Sequence, residues 1–448
     1  MTVRDDLPSN AKRQVLKGAY LTFTGDPFKT DPADCYLYES DGLVVLKDGK
    51  VEMIGTRSLI EPELAELDYE LTDYSGSDKL IMPGFVDCHV HYPQLPIIGA
   101  YGTQLLDWLN KYTFVAEQAY SDIDYAKAVA EVFFKELLRA GTTTAAAFCT
   151  VHPQSVDAFF SEAAKLDLRM VAGKVMMDRH APEALTDTAQ SGYDQSKALI
   201  EKWHGNGRAL YALTPRFAPT STPEQLEATG ALRREHEGVY VQSHLSENTD
   251  EIAWVKDLFP GRKGYLDVYD HYGLIGEKTV YGHCIHLTED EWGLIHESGT
   301  AIAACPTSNL FLGSGLFDLD KAKMQGKPVK VGMSTDVGGG TSLSMLQTLN
   351  EFYKVTQLNK FSLNAIRAYY LATRGAAESL YLGDKIGSLE TGMEADLIVM
   401  DLRSTPLIDF RMNTVKDIEE TLFVQMTMAD DRAILATYAN GRLVHARD

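Results

Sequence analysis

Leu80-Ile-Met-Pro-Gly-Phe-Val-Asp-Cys-His-Val-His91 is an apolar run, punctuated by Pro83-Gly84, that ends in two histidines. Its length and composition predict a buried strand over 81–91, entered from a Pro-Gly turn. Side chains alternate along a strand. His89 and His91 therefore share a face with Phe85 and Asp87, while Val86, Cys88 and Val90 face the other way. Two imidazoles on one face can form two corners of a metal site. A core histidine beside a surface one would give the same local pattern, so the choice depends on what other strands bring to the same place.

Downstream the chain alternates. Apolar strand candidates lie at 142–150, 169–177, 209–215, 239–245, 279–284, 300–305 and 329–335. Amphipathic stretches fall between most of them, at 125–140, 154–166, 195–203, 224–237, 251–258 and 289–297. Strand–helix alternation implies parallel strands joined by right-handed crossovers. Eight such units predict an α/β fold of the (β/α)8, TIM-type barrel kind. A doubly wound open sheet is the alternative, but no strand-linked G-x-G-x-x-G points to a dinucleotide fold.

Both ends differ from this middle. Lys17–Phe23, Gly42–Lys47 and Lys50–Ile54 are short strand candidates, the last two separated by the hairpin signal Asp48-Gly49. Ala395–Met400, Ala433–Tyr438 and Arg442–His445 have the same character, with Asn440-Gly441 as the turn. The expected organisation is a small β-sandwich domain built from residues 1–79 and 385–448, around a catalytic barrel over 80–384. The 448 residues provide ample chain for this.

The formal net charge of −21 argues against nucleic acid and anionic membranes as partners, because such a surface repels phosphate at long range. It leaves a small neutral substrate open. Cys35, Cys88, Cys149, Cys284 and Cys305 are scattered, with no C-x-x-C spacing. They read as small buried hydrophobes in a reducing compartment, and neither as a disulfide framework nor as a zinc finger. Met1–Lys12 is polar, and no run of about 18 apolar residues occurs. A cytoplasmic protein is expected.

Active-site groups of a barrel come from the C-terminal ends of its strands. Those ends offer His89, His91 and Gln94 on the first strand, Arg216 and Phe217 on the fourth, His244 and Glu247 on the fifth, His283 on the sixth and Asp336 on the eighth. Three imidazoles and a carboxylate suit Zn2+, with Fe2+ or Mn2+ as alternatives, and an open position would activate water. Asp336, in Ser334-Thr-Asp-Val-Gly-Gly-Gly340, is the natural carboxylate, with a turn or helix N-cap as the lesser alternative. Glu247 reads as a proton shuttle or as a solvated loop residue opening the next helix. Arg216 and Phe217 suit a flat polar ring, or else a surface ion pair and a core aromatic. His152 and His286 are weaker candidates, and Lys174 reads as a paired or snorkelling strand lysine.

Taken together, Pro83–His91, Ser243-His-Leu-Ser-Glu247, Gly282-His-Cys284, Cys305-Pro-Thr-Ser-Asn309 and Ser334-Thr-Asp336 resemble the amidohydrolase superfamily. Gly387–Met400 resembles that family's return to its small β domain. His91-Tyr-Pro-Gln94, Ala100–Asn110, Gly141–Thr144, Gly173–Asp178, Thr214–Pro219 and Asn309–Leu316 narrow the resemblance to the guanine-deaminating branch, from about Gly42 to the end.

This resemblance implies one zinc (or iron) held by His89, His91, His244 and Asp336, with His283 beside the attacking water. Glu247 and Asp336 would move protons. His91, Gln94, Trp108, Arg216, Phe217, His244, Glu247 and Asp336 would line the purine site. The implied reaction is hydrolysis of guanine to xanthine and ammonia by a homodimer. A lysine that bridges two metals in binuclear relatives is replaced here by the Arg216 region, which favours a single ion. Rival expectations are a relative deaminating cytosine, an adenosine derivative or a triazine, and a barrel that has lost catalysis. Neither H-x-E nor P-C-x-x-C, the signature of the other zinc nucleobase deaminases, occurs in the chain.

Overall fold

In the computed structural model, which describes residues 12–102 and 104–447, two sheets account for the strands. One is a parallel sheet ordered in space as in the chain. It runs from Phe85–His91 through Thr142–Phe148, Arg169–Gly173, Ala209–Pro215, Tyr240–Leu245, Thr279–His283 and Ala301–Ala304 to Lys330–Met333. Helices Ile123–Arg139, Pro153–Lys165, Ala189–Trp203, Pro223–Glu235, Thr249–Leu258 and Glu289–Ser298 fall between these strands. The expected TIM-type barrel is therefore present.

Its seam lies between the first and last strands and is fastened partly by side chains. Buried Asp87 accepts the backbone N–H of Thr335 at 3.2 Å and its hydroxyl as well, while the Asp336 N–H donates to the His89 carbonyl at 3.0 Å. Burial pushes the Asp87 carboxyl up to about 7, against these donors. Sequence alternation alone had grouped Asp87 with the histidines. Pairing with Thr142–Phe148 shifts register between Asp87 and Val90, and Asp87 serves closure instead.

The second sheet joins the two chain ends in eight strands. Leu397–Asp401 pairs antiparallel with Lys79–Pro83, which lies beside Arg13–Phe23. The run expected as one strand over 81–91 is thus two strands in different sheets. The break is at Gly84. Its N–H goes to Asp396 in the terminal sheet, and the next N–H, of Phe85, goes to Gly141 in the barrel. A Cβ at Gly84 would stand 2.3 Å from Thr143 Oγ1, so only glycine lets the chain cross between the sheets at this closeness. Alternation continues through Lys79–Pro83: Leu80 and Met82 join the barrel's main core, and Ile81 joins the terminal sheet's own cluster with Leu16, Val399 and Tyr438. Each such burial stabilises by roughly 1.5–3 kcal/mol.

The third strand also differs from expectation. It stops at Gly173 and resumes as Val175–Met176. Lys174 interrupts it, fully buried and ion-paired with Asp187, which makes it a paired lysine as the sequence suggested. All five cysteines are free and buried. Among the described residues, no helix is long and apolar enough to cross a membrane.

Candidate active site

The barrel's C-terminal mouth collects the expected strand-end residues around one pocket. His91, Gln94, Trp108, Arg216, Phe217, His244, Glu247, His283 and Asp336 line it, and His89 lies in contact with this set.

At its floor, one ligand atom each from His89, His91 and His244 lies within 4.8 Å of the others. Asp336 Oδ1 stands 3.4 Å from Nε2 of both His89 and His91. The His91 and His244 Nε2 atoms approach to 3.2 Å. His244 Nδ1 lies 2.6 Å from the Arg216 carbonyl, and a carbonyl only accepts, so the proton sits on Nδ1 and Nε2 presents a lone pair inward. Among the described residues, neither ring nitrogen of buried His89 makes a hydrogen bond, nor does His91 Nδ1. Buried polar atoms are rarely left so. A divalent cation fits this donor set, which has the N/O composition such ions take.

Burial lowers the pKa of all three imidazoles, those of His91 and His244 most, which favours their neutral forms. Burial works against the Asp336 carboxylate, but the His89 ring facing it and His283, whose own pKa is raised, pull the other way and take its pKa down to about 2. Asp336 takes φ 47°, and His283 takes φ 70° with Cys284 at 53° and Ser246 at 50°. Non-glycine residues in this region cost about 1–3 kcal/mol each and gather at functional sites. The glycines after Asp336 explain themselves: a Cβ at Gly338 would overlap Gln94 Oε1 at 1.8 Å.

Above the floor, His283 Nε2 lies 3.4 Å from Glu247 Oε2 and 3.7 Å from Asp336 Oδ2. Asn309 Oδ1 takes the His283 Nδ1 proton at 2.8 Å. Burial raises the Glu247 pKa, opposed by His283 and by the Ser314 hydroxyl that donates to Oε1 at 2.9 Å. His286 secures this loop by donating from Nε2 to the Ser314 carbonyl at 2.8 Å, so it supports the site without lining it. His152 sits at the N-cap position of the helix Pro153–Lys165 without a side-chain capping bond and is not among the lining residues.

Bonded to Arg216 and Gln94 at the polar end of the pocket is a residue that the sequence reading missed. Glu117 is fully buried and binds Arg216 Nη1 through both oxygens, at 3.0 and 2.8 Å, and Gln94 Nε2 at 3.3 Å. It lies on no barrel strand, so the search of strand ends passed over it. Glu251 is a second. It accepts the backbone N–H groups of Glu247 and Asn248 and the Tyr265 hydroxyl, and burial pushes its carboxyl up to about 7. Its sequence signal was the Asn248–Glu251 capping box. Cys305, expected only as a buried hydrophobe, also comes within ligand reach of His89, His283 and Asp336.

Trp108 is 2% exposed and belongs to a run of short helices, Leu105–Trp108 and Phe114–Glu117, separated by a π turn at Leu109–Thr113. Its Nε1 donates to the Ala100 carbonyl at 3.2 Å. Such π turns often accompany functional segments.

The amidohydrolase family profile matches residues 80–444. The chain is 54% identical to a guanine deaminase of Escherichia coli over 93% of its length and 94% of that protein's. It is 35% identical to the human guanine deaminase over 82% of this chain and 83% of that one. Among solved structures, E. coli guanine deaminase superposes with a TM-score of 0.94 at 52% identity, covering 97% of this chain and all of that one. Guanine deaminase of C. acetobutylicum, with guanine bound in its active site, superposes with a TM-score of 0.85 at 30% identity, covering 97% and 100%. The chain belongs to the amidohydrolase family and, within it, groups with the guanine deaminases.

Proposed function

We propose that the protein hydrolyses guanine to xanthine and ammonia at one divalent metal centre, with zinc as the ion and iron as the alternative. One observation carries this reading. A cluster of three histidines and an aspartate, in which neither nitrogen of buried His89 has a hydrogen bond, opens onto a pocket whose polar end is Arg216 and Gln94, in a chain 54% identical to a guanine deaminase. His89, His91, His244 and Asp336 would hold the ion. When bound there, such an ion supplies Lewis acidity that brings the pKa of a coordinated water towards about 7.

The chain's own residues account for the remaining chemistry. Asp336, kept ionised, takes a proton from the attacking water. Glu247, with its raised pKa, stays protonated longer than an exposed glutamate and donates to the purine ring nitrogen, which makes the carbon bearing the amine more electrophilic. His283, held by Asn309, orients the water between these two carboxyls. Arg216 and Gln94 donate to acceptors on the ring, and Phe217 and Trp108 cover its faces. Donors fixed before the reaction stabilise charge as it develops.

Cytoplasmic location is supported by five free, buried cysteines, which suit a reducing compartment, and a homodimer by the family resemblance. The test is spectrophotometric. Purified protein supplied with zinc should consume guanine and release xanthine and ammonia in equal amounts. Turnover of cytosine, an adenosine derivative or a triazine without turnover of guanine would overturn the assignment.

A further inference from the structure

Glu117 has 0% exposure, and a buried carboxylate persists only when it is paired. Its partners are two residues that line the pocket from separate elements. Arg216 follows the fourth barrel strand, and Gln94 lies in the turn after the first. Both carboxylate oxygens take Arg216 Nη1, and Oε1 takes the Gln94 amide as well. Phe114, one turn earlier on the same short helix, sets its ring 5.4 Å from the Arg216 guanidinium carbon. One helical turn thus holds the guanidinium by a carboxylate and by an aromatic face. Among the described residues, the bonds to Glu117 come from Nη1 alone, so the fork's remaining donors stay available to the pocket.

Charge points the same way. Without Glu117, Arg216 would be a buried cation beside three imidazoles arranged to hold another cation. With it, the polar end of the pocket is neutral and still rich in N–H donors.

We propose that Glu117 is a positioning residue for substrate recognition: it sets Arg216 and Gln94 in one register for the acceptors of an oxopurine, and it makes that register depend on the seating of the 105–117 segment that carries Trp108. The proposal rests on the guanine reading given above. Segment and specificity contacts are then one unit, since the helix that bears Glu117 continues from the run that bears Trp108.

Steady-state kinetics of Glu117→Gln with guanine, together with its zinc content, test this. The variant should bind zinc as the wild type does and raise KM for guanine, so that kcat/KM falls on the order of ten- to a hundredfold with the smaller part of the loss in kcat. Glu117→Asp, which keeps the charge but withdraws it by one methylene, should give an intermediate KM. A purely structural role would reduce the active fraction, lowering kcat at unchanged KM, and that result would overturn the proposal. If Glu117→Gln does not fold, Glu117→Asp decides: an unchanged KM in that variant overturns it. Wild-type protein that leaves guanine untouched would remove the underlying assignment as well, whereas active wild type with an unaltered Glu117→Gln removes this proposal alone.

Discussion

The Nε2 atoms of His91 and His244 stand 3.2 Å apart, with the outer nitrogen of His244 committed to the Arg216 carbonyl. A proton shared between them would still leave His89 Nε2, which faces Asp336, without a hydrogen bond. A cation shared by the three rings and Asp336 satisfies the inward-facing lone pairs together. His89→Ala is therefore expected to lose metal and turnover together, as read by elemental analysis and by guanine consumption on the same sample. Full metal content in an inactive His89→Ala would remove His89 from the ligand set.

Glu247 stands apart from the metal cage, bonded to Ser314 and facing His283. Glu247→Gln keeps the shape and removes the transferable proton. It should retain the metal and lose about 10²–10⁴-fold in kcat, the range for general acid–base groups. A near-normal rate would take the proton-transfer role away from Glu247.

The barrel's other end is fixed to the terminal sheet by buried charge. Arg208 is 8% exposed and bridges Asp396, which is 3% exposed, and it also pairs with Glu394, which Arg169 holds too. Arg208→Ala leaves Asp396 buried without this partner and should destabilise by about 3–5 kcal/mol. The effect would appear as a lower urea midpoint, with KM for guanine unchanged because the pocket lies at the opposite end of the strands. A midpoint within experimental error of wild type would show that the network adds little.

Glu251 gives a pH dependence with a definite sign. Its pKa rises from 4.5 to about 7 on burial, so the folded state holds a proton that the unfolded state releases. This contribution to stability is complete below about 4.5 and is lost as pH rises through about 7. The stability of wild type relative to Glu251→Gln should therefore fall between those values, measured as urea midpoints across the range. A difference independent of pH would show that Glu251 is ionised throughout.

Much of this architecture was legible because two periodicities survive in the sequence. Buried parallel strands read as short apolar runs, and the helices between them show one apolar face. His89, His91, His244, His283 and Asp336 were legible for a related reason: chemistry in a barrel gathers where strands end. What escaped has a physical cause in each case. Leu80–His91 is apolar throughout because both of its halves are buried, and composition alone cannot show that the two halves belong to different sheets on either side of Gly84. Glu117 sits in irregular short helices, where no periodicity marks an inward-facing position, and its burial is made acceptable by Arg216, 99 residues away in the chain. Asn309 and Ser314 lay within recognised motifs, yet their partners His283 and Glu247 come from other strand ends.

Metal content and guanine turnover, measured on one preparation before and after chelation, test the account most directly. About one divalent ion per chain is expected, with xanthine formation lost on its removal and restored when zinc or iron is returned. Undiminished xanthine formation by protein verified free of metal would contradict it, as would a fully loaded protein that leaves guanine unchanged.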